Sequence, residues 1–155
     1  MKYKCPLIVV DDMSVARDFY ENVLDQTVIL DFGANIVFKG DFCLQTKETW
    51  LKFIDKDKED IYEENNDFEL YFDEVDFDGF VIRLTSYNIT YLHGVKEYPW
   101  GQRVVRFYDP DKNIIEVGES MESVVRKFLR EGLSLEEIAI RTQYPLEFIR
   151  NCRIR

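Results

Sequence analysis

The sequence holds one histidine, three cysteines and four prolines among 155 residues, and no long apolar run. Each scarcity excludes something. No stretch approaches the roughly 18 to 20 apolar residues that a membrane-spanning helix needs. The opening MKYKCPLIVVDD meets Asp11 and Asp12 too soon for a secretory signal. Cys5, Cys43 and Cys152 are odd in number and form no CxxC pair, which predicts reduced thiols in a cytoplasmic protein. Positive charge is short too. Residues 1–120 carry 13 Lys and Arg against 25 Asp and Glu, residues 121–155 carry seven against five, and the net charge is −10. A body this acidic repels phosphate backbones, so nucleic acid is not an expected partner.

What is present is apolar and aromatic. At 46% hydrophobic and 15% aromatic residues the chain is too rich for disorder, and its length predicts one domain with a short appendage. Residues 4–10 (KCPLIVV) read as a strand. Met13, Ala16, Phe19, Tyr20 and Leu24 then recur at helical spacing, with Arg17 and Glu21 placed for an i,i+4 pair. TVILDF, NIVFKG and DFCLQT read as three short strands, and the charged stretch 55–67 as an exposed linker or short helix. Then the pattern restarts: FELYFDE as a strand, VDFDGFVIRLTS as a helix, and NITYLH, QRVVRFYD and NIIEVGE as three more strands. The repeat is one of pattern, strand–helix–three strands, and not of letters.

The expectation is therefore an α+β domain over residues 1–119. Two βαβββ modules, at about 1–54 and 66–119, would form one cupped mixed sheet, and a cup is where ligands bind. Residues 120–155 read as a helical extension. One helix stops at Gly132, a second opens at Ser134 with Glu137 at capping-box spacing, and a third, LEFIRNCRI, carries Pro145 in its first turn. Helix–turn–helix order alone does not make a DNA reader, since five glutamates offset the seven basic residues there. A cap over an open edge or a partner subunit is the stronger reading.

Glu116 stands alone among Ile114, Ile115 and Val117, after the turn Asp109–Asn113. Asp, Pro and Asn are ordinary turn formers. A carboxylate in a strand made for a core is not, because its burial without a partner costs several kcal/mol. A metal, an arginine or a shared proton would each account for it.

Two stretches resemble the vicinal oxygen chelate superfamily, which includes glyoxalase I, bleomycin-resistance proteins and extradiol dioxygenases. VVDDMSVARDFYENVL is similar to the family's opening strand and Phe-Tyr helix. WGQRVVRFYDPDKNIIEV is similar to its closing signature, Trp-Gly, a strand, Asp-Pro-Asp and a strand ending in an acid. The resemblance covers roughly residues 3–119. In metal-dependent members four strand positions hold one divalent metal. They fall here on Cys5, Gln45, Glu69 and Glu116, where the family usually has histidine at the first and third. The single histidine, His93, matches none of the four.

What the resemblance implies is a small-molecule enzyme of the glyoxalase type, a lyase or isomerase similar to lactoylglutathione lyase. A weakly held divalent metal (Zn, Ni, Mn or Mg) would be its cofactor, with Glu116 and Glu69 as catalytic carboxylates and ligands. The alternative is a metal-free small-molecule binding protein of the bleomycin-resistance type. Trp100, Gln102 and Arg103 are the candidates for substrate contact. Alternation sets Gln102, Val104 and Arg106 on one face and Arg103, Val105 and Phe107 on the other, so only one of the two arginines can face a ligand. A homodimer is expected, both from the family and to cover open edges.

Overall fold

The computed structural model describes residues 1–64 and 66–153, all but the side chain of Arg153. The last turn of the expected third tail helix, at Ile154, lies outside the described residues. In chain order the elements are β1 (Leu7–Val10), α1 (Met13–Asn22), β2 (Val28–Asp31), β3 (Asn35–Phe38), β4 (Phe42–Thr46) and α2 (Lys47–Ile54). They continue as β5 (Glu69–Glu74), α3 (Phe77–Leu84), β6 (Tyr91–Glu97), β7 (Arg103–Tyr108) and β8 (Ile114–Glu119), then α4 (Met121–Arg130), α5 (Leu135–Thr142) and α6 (Leu146–Arg153). None of the described helices is long and apolar enough to cross a membrane.

The eight strands form two four-stranded sheets of one topology, β1-β4-β3-β2 and β5-β8-β7-β6. In each, the first strand runs parallel to the fourth: Val9 faces Gln45 in one, and Tyr71 faces Glu116 in the other. The expected doubling of a βαβββ module is thus present in the strand order itself. The linker region 55–67 contains one short 3-10 turn, Lys58–Asp60.

Two compact units share the chain. The first is residues 1–68 with 108–113, and the second is residues 69–107 with 114–155. The first packs Ala16, Phe19 and Tyr20 of α1 over Ile36, Phe38, Phe42 and Leu44, all buried. Asp12 caps α1 by accepting from the Ser14 and Val15 amides, and the Arg17–Glu21 pair forms at 2.9 Å. The turn 108–113 counts with this unit because Asp109 is tied into it. Its buried carboxylate accepts from the Tyr20 hydroxyl at 2.9 Å, from the Asp111 and Asn113 amides at 2.9 and 2.8 Å, and from Asn113 Nδ2 at 2.9 Å. The left-handed residue in this turn is Lys112, at φ 69°, and not the Asp or Asn that tolerate that region best.

In the second unit α3 covers one face of its sheet with Phe77, Phe80 and Leu84. The extension belongs to the same unit. Met121, Val124, Val125, Phe128, Ile138, Ile149 and Cys152 form its core, with Trp100 packed against it. Ser134 and Glu137 make the expected capping box, and Gly132, at φ 89°, ends α4. The apolar faces of the tail are thus satisfied mainly by each other.

Candidate functional site

Strand register decides which side chains meet. Glu69 and Tyr71 are opposite Ile114 and Glu116, so alternation puts Glu69, Tyr71 and Glu116 on one face of the second sheet. The other face belongs to α3. Phe80 stacks on Phe107 with ring centroids 6.4 Å apart, and Arg103 donates to Asp78 of α3 at 2.7 Å and to Glu119 at 2.9 Å. Arg103 also lies over the Phe77 ring. It is therefore Arg106, three residues on, that shares the face of the acids.

The Arg106 guanidinium gathers this face around itself. Its Nε donates to Glu69 at 3.0 Å, and its Nη2 pairs with Glu116 Oε2. Its Nη1 donates to the Tyr98 hydroxyl at 2.8 Å and reaches His93 Nε2 at 3.4 Å. His93 Nδ1 is 2.7 Å from the Gly94 carbonyl. A carbonyl only accepts, so the proton sits on Nδ1 and Nε2 is free to receive Arg106. Burial works against the charge on Arg106. The bonds to Glu69 and Tyr98 outweigh it, and the guanidinium is held above its usual pKa. Apart from that guanidinium, Glu116 Oε2 meets no hydrogen-bond donor among the described residues.

The four positions that the family resemblance assigns to a metal divide between the units, Cys5 and Gln45 in the first and Glu69 and Glu116 in the second. Cys5 Sγ lies 3.4 Å from Cys43 Sγ, and burial pushes the Cys43 thiol up to about 11, which keeps it protonated. Gln45 spends its carboxamide on Thr49 and, at 3.1 Å, on Asn35. Among the described residues no three His, Cys, Asp or Glu side chains are grouped to hold a metal ion. As arranged, Glu69 and Glu116 fit a guanidinium and not a divalent metal, since a metal brought to either would meet Arg106 as a like charge.

Trp100 and Gln102 are held together. Trp100 Nε1 donates to Gln102 Oε1 at 3.0 Å, and Gln102 Nε2 donates to the Tyr71 hydroxyl and the Glu119 carbonyl, both at 2.9 Å. Tyr98 stacks on Trp100 with centroids 4.6 Å apart and planes 2° from parallel. The sequence leaves open whether Arg103 or Arg106 pairs with the acids, and it gives no sign of Tyr98 or His93 beside that pair. Alternation already placed Arg106 with Gln102. Nothing in the local sequence brings Tyr98 or His93 to it, because that depends on the irregular register between β6 and β7.

The glyoxalase-like domain family model matches residues 3–122. The chain belongs to this family. The match is consistent with the vicinal oxygen chelate superfamily, and it ends where the extension begins. A crystal structure of a protein of unknown function from Agrobacterium tumefaciens is 30% identical, with a TM-score of 0.70, over 78% of this chain and 95% of that chain. A glyoxalase/bleomycin resistance protein/dioxygenase from Nocardioides is 18% identical, with a TM-score of 0.60, over 79% and 85% of the two chains. A lactoylglutathione lyase from Agrobacterium tumefaciens is 23% identical, with a TM-score of 0.57, over 77% and 94%. The last two show the glyoxalase fold alone. No match was found among curated proteins.

Proposed function

We propose that this glyoxalase-like protein binds a small molecule on the open face of its second sheet without a metal, as a bleomycin-resistance-type protein would. One observation carries this reading. His93, Glu69 and Glu116, side chains that could serve as metal donors, are all directed at the single Arg106 guanidinium. A metal-assisted lyase or isomerase would need Arg106 to leave both carboxylates before a metal could enter. That movement would strip a buried acid of its counter-charge. With Glu69 and Glu116 neutralised, what the face offers a ligand is the aromatic surface of Tyr71 and Trp100.

The test is metal content and metal response of protein purified without chelator. The expected result is no stoichiometric Zn, Ni, Mn or Mg, and an unchanged melting temperature when each is added. A bound metal would instead add about 2.7 kcal/mol at 100 times its dissociation constant. Such a gain, lost in Glu116→Gln, would restore Glu116 and Glu69 as ligands and overturn the metal-free reading.

A further inference from the structure

We propose that the helical extension completes, on this open sheet face, a binding site for a flat, weakly basic nitrogen heterocycle. A cavity of about 390 Å³ lies between the sheet and the corner joining α5 to α6. That size is in the range of small-molecule sites. Tyr71, Trp100 and Gln102 contribute from the glyoxalase-like fold, and Met121, Gln143 and Tyr144 from the extension and its junction. Neither part encloses the space alone. Because the family match ends at residue 122, the site is a property of this chain's added helices.

The walls are set before any ligand arrives. Trp100 is held by its bond to Gln102 and by the Tyr98 stack. Its loop is clamped by the extension: a Cβ on Gly101 would meet Phe128 of α4 at 2.2 Å, and Arg141 of α5 donates to the Pro99 carbonyl at 3.3 Å. Gly118 does the same for the floor. A Cβ there would come within 2.9 Å of both Gln102 Nε2 and the Tyr71 ring. The missing side chain is what lets Tyr71 and Gln102 lie close over β8. Such pre-organisation lowers the cost of ordering on binding.

The lining specifies the ligand. Three aromatic side chains, Tyr71, Trp100 and Tyr144, favour a flat ring, which stacks on their faces. Among the described residues none that lines the cavity is charged, so a strongly ionic group finds no partner among them. What charge is near is negative: Asp73 accepts from the Tyr71 hydroxyl at 3.3 Å, and the whole chain carries −10. Aromatic faces and this field both favour a diffuse cation over an anion. The Gln143 carboxamide, which makes no hydrogen bond among the described residues, offers a donor and an acceptor to ring nitrogens.

This inference rests on the proposed small-molecule role of the same face, and the two are separately testable. Proflavine, a flat tricyclic cation, is titrated with the full-length protein and followed by fluorescence anisotropy. Saturable binding of one dye per chain is expected. Tyr144→Ala, at an exposed corner, and Gly118→Ala, which displaces Tyr71 without removing any lining side chain, should each weaken it about tenfold, a loss of about 1.4 kcal/mol. The flat anion anthracene-2-sulfonate and the non-planar cation cyclohexylamine should compete at least tenfold more weakly than unlabelled acridine. Absence of saturable binding, unchanged affinity in folded Tyr144→Ala, or equal competition by the sulfonate would each overturn the site. Should Gly118→Ala fail to fold, Tyr144→Ala decides alone. Metal uptake alongside intact dye binding would overturn the metal-free reading and leave this site standing.

Discussion

Removing Arg106 tests the central arrangement most directly. Its side chain is 22% exposed, and those of its two acids are 9% exposed at Glu116 and 39% at Glu69. Glu69 can turn to water when the guanidinium goes, so its contribution is that of a surface pair, under about 1 kcal/mol. Glu116 cannot. Breaking a buried pair by deleting one partner costs about 3 to 5 kcal/mol, and partial exposure of Arg106 puts the present case at the lower end, about 3 kcal/mol. For a chain of this length that is a fall in melting temperature of about 6 to 12 °C in Arg106→Met. Glu116→Gln alone should cost less, since an amide still accepts from Arg106. The double variant, with neither partner of the buried pair left charged, should come within about 1 kcal/mol of wild type, giving a coupling of at least about 2 kcal/mol. Urea and thermal unfolding of the four proteins measures all of this. Single variants that each cost under 1 kcal/mol and add without coupling would refute the buried pair, and with it the argument against a metal.

Other outcomes follow from the same structure. Tyr20→Phe removes the hydroxyl that donates to the buried Asp109, and should lower stability by about 1 to 2 kcal/mol in equilibrium unfolding. Burial pushes Asp111 up to about 6, with Asp109 and Asp11 adding to the shift. A raised carboxylate pKa means that the folded state binds more protons than the unfolded one, so stability should rise as pH falls from 7 through 6 toward 5. Asp111→Asn should flatten that slope in a melting series. The full chain is expected to sediment as a homodimer, and a monomer at tens of micromolar would end that expectation.

The module architecture was legible because the chain states it twice. Helical spacing at Ala16, Phe19 and Tyr20, and again at Phe77, Phe80 and Leu84, recurs between strand runs, and both helices bury those residues. The helix Lys47–Ile54 was not read, although Trp50, Leu51 and Ile54 have the spacing. Only Leu51 is buried, and charged residues between hide a face that narrow. The site was half legible. Glu116 declared itself as an acid in an apolar strand, and its need for a partner followed from the cost of burial. Which partner did not follow. The sequence named three candidates, a metal, an arginine and a shared proton. Choosing the arginine required the β7 register, which turns Arg106 toward Glu116 and Arg103 toward Asp78.

That choice bears on what the extension is for. A face on which Glu69 and Glu116 are spent on Arg106 has few groups left to orient a ligand. Glu69 and Glu116 no longer provide open carboxylates, and the donors of Arg106 are largely occupied. Recognition then has to come from shape and aromatic surface, which need walls on more than one side. Tyr71 and Trp100 supply one side. The other comes from residues 142–144, at the end of α5 and the turn that follows, in a segment the family match does not cover. The two departures from the family pattern thus depend on each other. With Glu69 and Glu116 tied to arginine, the proposed ligand depends on walls that close over the sheet, and Phe128 packed on Gly101 fixes the helices where they can supply one.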